Sequence, residues 1–287
     1  MRWKYVGAVW SIDFTEPSEY IGGADRWILA IRDLTSGYQL AWLSFAQATA
    51  ACVVRVLVAL FTEHGPPLVL KSDKGSQFIA EATLSLLRQW QVEALFNPPR
   101  RPAYNGGLER THPILKGYTQ AAAAAQGRPS GPLPEDLQTA RIHGNRFTRR
   151  LGEDSPTAEE AWRAREPISA ELRMAFRRTV AAGRPAALAA RGLAEGAELN
   201  HYQQAAVDRE ALRDALLAHD LLEIRPRGKR AAGGEPPKDP AAAPSSAISG
   251  SCAAVADAAL ALPCAPPAAA CSPLAVTAPR HVAAGLA

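Results

Sequence analysis

The sequence predicts an α/β protein, a mixed five-stranded sheet with helices packed against it. Three observations carry this reading. Three strand-like runs follow one another at short intervals near the amino terminus, which makes them antiparallel neighbours, since a parallel return needs a longer crossover. Two further short apolar runs alternate with helical patterns, and the first of these comes back from a helix and so lies parallel to a neighbour. Finally, Asp13 stands near the carboxyl end of the first run and Asp73 directly follows the fourth.

Taken in order, Tyr5–Thr15 reads as the first strand, mostly apolar through Val6, Ala8, Val9, Trp10, Ile12 and Phe14, and Glu16-Pro17-Ser18 breaks it. Arg26–Asp33 is the second strand. The turn Thr35-Ser36-Gly37 leads to a third over Tyr38–Ser44. A helix follows over Thr49–His64, with Val53, Val56, Leu57, Leu60 and Phe61 at helical spacing, and Gly65-Pro66-Pro67 stops it. Leu68–Ser72 is the fourth strand and runs straight into Asp73 and a glycine turn. A helix over Ile79–Trp90 and a short strand over Val92–Phe96 complete the pattern. Residues 98–107 are a loop by composition, and Glu109 stands just beyond it, with 35 residues between it and Asp73. An acid on strand one, another after strand four and a third opening the last helix is the layout of an RNase H-like core.

An aspartate before a glycine is ordinary turn chemistry, so Asp73 alone is a weak signal. Three acids converging on one sheet edge mean more. Hard divalent cations take oxygen ligands, and Mg²⁺ accepts a few carboxylates plus water and substrate phosphate. Two such ions roughly 4 Å apart activate the attacking oxygen and stabilise the leaving oxygen of a phosphoryl displacement. The reaction class is phosphodiester cleavage or transfer.

Three blocks carry a resemblance: Trp10-Ser11-Ile12-Asp13-Phe14-Thr15, then Ser72-Asp73-Lys74-Gly75-Ser76-Gln77-Phe78, then Pro102-Ala103-Tyr104-Asn105-Gly106-Gly107-Leu108-Glu109-Arg110. Together they resemble the integrase catalytic core of retroviral integrases and related insertion-sequence transposases, over roughly Tyr5 to Gln126 and in the family's order. The resemblance implies that Asp13, Asp73 and Glu109 are the catalytic, metal-binding triad for two Mg²⁺ or Mn²⁺ ions. It also implies DNA cutting and joining by water or a 3′-hydroxyl, on element ends and a target. Asn105 and its glycines resemble the family's active-site loop. Lys74, Asn105, Arg110 and Lys116 are the candidate nucleic-acid contacts, although Arg110 reads equally well as half of a surface ion pair. Trp10 and Trp42 are read as core residues. Family members act as multimers, so self-association is expected.

Departures from the family pattern keep other readings open. Lys74 stands where the family often has asparagine, and is read either as a phosphate contact or as a cation that weakens metal binding. Pro113 lies four residues after Glu109; it is harmless in a first turn but breaks a continuous helix. The core begins within a dozen residues of Met1, so recognition of the element ends is expected from a separate DNA-binding chain. A catalytically impaired, DNA-binding remnant of a transposable element is therefore one alternative, and an RNase H-like nuclease that hydrolyses without strand transfer is another.

Composition bounds the rest. Hydrophobic residues make up 47% and charged residues 21%, as in a globular protein with a core, and the net charge is +4. From Pro98 to Arg191 there are 16 Arg plus Lys against 9 Asp plus Glu, a basic middle that suits either a polyanion partner or a solvated helical surface. Cysteines at 52, 252, 264 and 271 form no metal-ligand spacing, which fits a reducing cytoplasm, on the nucleoid in a bacterial cell. No run reads as a membrane span, because prolines and Asp257 break the alanine-rich stretch 253–276. Three regions are expected: the catalytic core over 1–126, a helical, arginine-rich region over 127–225, and an Ala/Pro-rich tail over 226–287. In the helical region, Glu135–Leu151, Thr157–Ala164, Ser169–Val180 and Arg209–Leu222 are read as helices. The tail holds 10 of the chain's 23 prolines and is read as disordered.

Overall fold

In chain order the elements are β1 (Arg2–Trp3), β2 (Val9–Thr15), β3 (Trp27–Asp33), β4 (Gln39–Phe45), α1 (Ala50–His64), β5 (Val69–Ser72), α2 (Ser76–Ile79), α3 (Glu81–Gln89), β6 (Glu93–Phe96), α4 (Thr111–Ala125), α5 (Pro134–Phe147), α6 (Ala158–Arg163), α7 (Ala170–Ala189), α8 (His201–Ala218) and β7 (Leu222–Glu223). They come from a computed structural model, which describes residues 1–98, 111–149, 152–194 and 196–224. Met1–Gly228 form one unit by their contacts, and Lys229–Ala287, a second unit, lie outside the described residues.

Five strands form the main sheet in the order β4-β3-β2-β5-β6. The pairs β2–β3 and β3–β4 are antiparallel, while β2–β5 and β5–β6 are parallel. This mixed sheet with flanking helices is the RNase H-like arrangement expected from the strand and helix order.

Successive side chains on a strand point to opposite faces, so each strand contributes to two layers. On one face Trp10, Ile12, Leu29, Ile31 and Leu70 pack against Val53, Val56, Leu57, Leu60 and Phe61 of α1 and Leu86 and Leu87 of α3. Thr49 caps α1 by accepting the Cys52 N–H. The other face carries two clusters. Ile28, Ala30 and Trp42 meet Leu115 of α4 and Leu137 and Ala140 of α5. Val9, Val69 and Leu95 meet Phe176 and Val180 of α7 and Ala211, Leu212, Ala215 and Leu216 of α8. Helices beyond residue 126 therefore complete the second layer over the sheet.

Buried polar bonds fasten that layer. Asn145 of α5 accepts the Gln39 N–H at 2.7 Å and donates to the Gln39 carbonyl at 3.1 Å, satisfying strand β4. Arg173 of α7 is buried and donates to the carbonyls of Pro66, Pro67 and Gln91, in the turns that lead into β5 and β6.

Several boundaries differ from the sequence expectation. The first strand begins at Val9 and not Tyr5, because Gly7 turns the chain at φ 88° and donates its N–H to the buried Asp33 carboxylate. The helix expected over Ile79–Trp90 begins at Glu81 as α3, because Ala80, with ψ 142°, is extended, and Ser76–Ile79 ahead of it forms the separate short helix α2. Helix α7 continues past Val180 to Ala189 with Pro185 inside it. Helix α8 starts at His201, ahead of the expected Arg209, because Asn200 accepts the N–H groups of Tyr202 and Gln203 while Gln203 reaches back to the Asn200 N–H. The pairing of β1 with β7, which joins residues from both ends of the unit, has no counterpart in the expected pattern. The expected tail, 226–287, lies outside the described residues.

Candidate functional site

Strand β2 pairs with β5 in parallel through Val9↔Val69, Trp10↔Leu70 and Ser11↔Lys71. Carried one residue past the end of β5, the same register sets Asp13 level with Asp73, at the same end of the sheet. Asp13 also pairs across β3 with Ala30, whose side chain belongs to the cluster under α4 and α5. Register partners share a face, so Asp13 lies on the face that α4 covers. Asp13 is half-buried and Asp73 exposed. The Asp73 Oδ1 accepts the Gly75 N–H at 2.9 Å, the aspartate turn expected from Asp-Lys-Gly. A carboxylate offers about four lone-pair sites, so this bond leaves most of its acceptor capacity open.

Helix α4 lies on the same face, with Leu115 in the cluster that holds Ala30. Lys116, in its second turn, is influenced by Glu16, which follows Asp13 in the chain. Burial lowers the Lys116 pKa, and Glu16 opposes the shift. His112 is buried against Trp42, with ring centroids 5.9 Å apart. Burial, with help from the charges of Lys116 and Arg32, pushes its imidazole down to about 4, so it is neutral near pH 7. Among the described residues its Nε2 finds no hydrogen-bond partner. Pro113 is the third described residue of α4, which runs through it to Ala125. Asn105, Glu109 and Arg110 lie outside the described residues. The structure therefore brings together Asp13 and Asp73 of the expected triad, with Lys74 beside Asp73 and Lys116 near the Asp13 side. Among the described residues no group of three His, Cys, Asp or Glu side chains is placed to hold a metal.

Beneath the two aspartates the same sheet face carries a buried polar rank. Ser11 pairs with Arg32 on one side and Lys71 on the other, and all three are buried. Arg32 Nε donates to the Gly37 carbonyl at 2.9 Å.

Sequence reasoning missed two residues at this end. Lys74 Nζ stands 5.0 Å from the centroid of the Tyr202 ring, near the start of α8. Arg209, also on α8, is close enough to lower the Lys74 pKa, after burial, which is the larger cause. Arg209 also donates to the Phe96 carbonyl at the end of β6, at 3.5 Å. The Asn200-x-x-Gln203 capping signature was available to start this helix correctly, which puts Tyr202 and Arg209 seven residues apart on one face. Nothing in the sequence pairs that face with Lys74.

Residues 5–102 match the family model described as the integrase core domain. The Gag-Pol polyprotein of woolly monkey sarcoma virus is 28% identical over 145 residues, 49% of this chain and 8% of the polyprotein. That of koala retrovirus is 29% identical over 112 residues, 38% of this chain and 6% of the polyprotein. The chain thus spans less than a tenth of the length of these curated relatives. Among solved structures, a chain of the simian T-cell lymphotropic virus intasome in complex with PP2A regulatory subunit B56 gamma is similar at TM-score 0.50. It is 18% identical, with 59% of this chain and 60% of that chain covered, a likeness of fold. Fold, blocks and family model agree over residues 5–102, which match the integrase core domain.

Proposed function

We propose that this chain is a metal-dependent polynucleotidyl transferase that cuts and joins DNA strands in integration, with Asp13, Asp73 and Glu109 as the ligands of two Mg²⁺ or Mn²⁺ ions. The integrase core domain family is a family of polynucleotidyl transferases. The observation that supports the reading most is the parallel pairing of β2 and β5, since Asp13 lies near the end of one strand and Asp73 directly follows the other. Oxygen donors of this kind fit a hard divalent cation. Bound there, the ions supply charge stabilisation to the attacking and leaving oxygens.

The chain's own residues do the positioning. Gly75 N–H holds the Asp73 carboxylate in place. The rank of Arg32, Ser11 and Lys71 holds positive charge below the aspartates. Lys74, Lys116, Asn105 and Arg110 are the residues assigned to the phosphates of the DNA strand. The bond formed joins the phosphorus to a water or 3′-hydroxyl oxygen, which gives up its proton; the bond broken releases the original ester oxygen as a hydroxyl. DNA ends, a target duplex and further copies of this chain are the partners this reading calls for.

Labelled DNA ends incubated with the chain and Mn²⁺ are expected to be nicked or joined. Asp73→Asn and Asp13→Asn should each cut the rate by more than about a hundredfold without unfolding the protein. Joined products separate a transferase from a nuclease. A second reading, a DNA-binding remnant, draws on Lys74, which follows Asp73 in the chain, and on Arg209 within Coulombic range of Lys74. It predicts no cleavage by the unaltered chain and salt-sensitive DNA binding that Asp73→Asn leaves intact.

A further inference from the structure

Helix α8 reaches the carboxylate end of the sheet from the far side of the chain. Its apolar stripe, Ala211, Leu212, Ala215 and Leu216, is buried against β2, β5 and β6. This leaves its first three turns toward the ends of β5 and β6, where Arg209 is tied to the Phe96 carbonyl. Three features meet there. Tyr202 is 58% exposed, unusually open for a ring that also makes a tertiary contact. Lys74, next to Asp73, sits over that ring at 5.0 Å from its centroid. Arg209, seven residues after Tyr202 on the same helix face, brings a second positive charge within Coulombic range of Lys74.

Docking α8 on the core does not depend on this contact. Such docking already comes from the leucines and alanines of the buried stripe. The chemistry of the patch instead matches a single nucleic-acid strand, which presents flat bases to aromatic rings and phosphates to cations. A duplex keeps its bases stacked on both sides, so only an unpaired base reaches a protein ring. The patch adjoins Asp73, so the strand it holds is the one that passes the carboxylates.

We propose that Tyr202, Lys74 and Arg209 form a contact for an unpaired DNA strand beside the candidate catalytic centre, the ring stacking a base and the two cations holding the flanking phosphates. This assigns the carboxyl-terminal helix a part in substrate binding, and it rests on the reading of the chain as a DNA integrase.

The test reads binding without chemistry, using the full chain in EDTA. The probes are a fluorescein-labelled DNA duplex with a short overhang containing 2-aminopurine and the same duplex made blunt. Tyr202→Ala is expected to weaken overhang binding about tenfold and blunt binding by less than about twofold. Tyr202→Trp, which keeps a stacking face, should bind as the unaltered chain does. Quenching of 2-aminopurine should occur with the unaltered chain and Tyr202→Trp and be absent with Tyr202→Ala. Arg209→Gln should lower the slope of log affinity against log salt by about 0.7. Thermal unfolding of each variant checks that α8 remains docked. If Tyr202→Ala binds both duplexes like the unaltered chain, or quenching persists without the ring, the proposal is overturned. Asp73→Asn in a cleavage assay reports separately on the integrase reading. Loss of cleavage there with normal Tyr202→Ala binding sinks only the strand contact, whereas weakened overhang binding with no cleavage by any form sinks only the catalytic assignment.

Discussion

On the face of the sheet covered by α1 and α3, the inward side chains Trp10, Ile12, Leu29, Ile31 and Leu70 are apolar and merge with both helices into one cluster. On the face covered by α4, α5, α7 and α8 the apolar contacts divide into two clusters. That face also carries the buried rank of Arg32, Ser11 and Lys71, which leads up to Asp13 and Asp73. One face is built for cohesion. The other gives up part of its apolar area to hold charge under a pair of carboxylates, and arginine and asparagine bonds to backbone carbonyls fasten its helices. The difference teaches that the sheet's stability and its chemistry are assigned to opposite sides.

That contrast is best broken from the apolar side first. Phe61 is 1% exposed and packs between Trp10 and Trp90, with centroids 5.7 Å from each. Phe61→Ala is expected to destabilise the protein by about 3–5 kcal/mol, read from denaturant unfolding. On the polar side the largest effect should be one of pH. Burial holds the His112 pKa at about 4, against 6.5 when unfolded, so the unfolded chain binds the extra proton between those values. Stability is then complete above about pH 6.5 and falls by roughly 3 kcal/mol as the pH drops to about 4. His112→Leu should remove that part of the pH dependence; a variant whose stability falls as steeply as the parent's would place the pH sensitivity elsewhere.

Smaller changes sharpen the comparison. Arg173→Met keeps the stem but leaves the Pro66, Pro67 and Gln91 carbonyls short of a donor, for an expected loss of about 1–3 kcal/mol. The exposed Lys4–Asp220 ion pair beside the β1–β7 ladder is expected to matter least. Lys4→Gln should shift unfolding by less than about 1 kcal/mol, and added salt should erase the difference.

Much of the sheet was legible because its strands are apolar runs bounded by Gly, Pro or charged turns, and because α1 repeats its apolar residues at helical spacing. The two aspartates were legible because each closes such a run. Strands β1 and β7 were not, since two residues carry no periodicity, and only contact between the ends of the unit creates them. Helix α8 was read too short although Asn200 and Gln203 announced its start. Lys71 sat inside the expected fourth strand, but its burial beside Ser11 and Arg32 depends on the cross-strand register, which local sequence does not display.

By itself the sequence determined the α/β class, the order of the elements and the two strand-end carboxylates, because these follow from local periodicity and turn chemistry. Tertiary structure decided which strands are neighbours, and so set Asp13 level with Asp73 across a parallel pair. It also decided that the helices beyond residue 126 cover the sheet face that carries Asp13 and that Tyr202 and Arg209 stand by Lys74. Those relations join residues far apart in the chain, and only packing on a shared sheet brings them together.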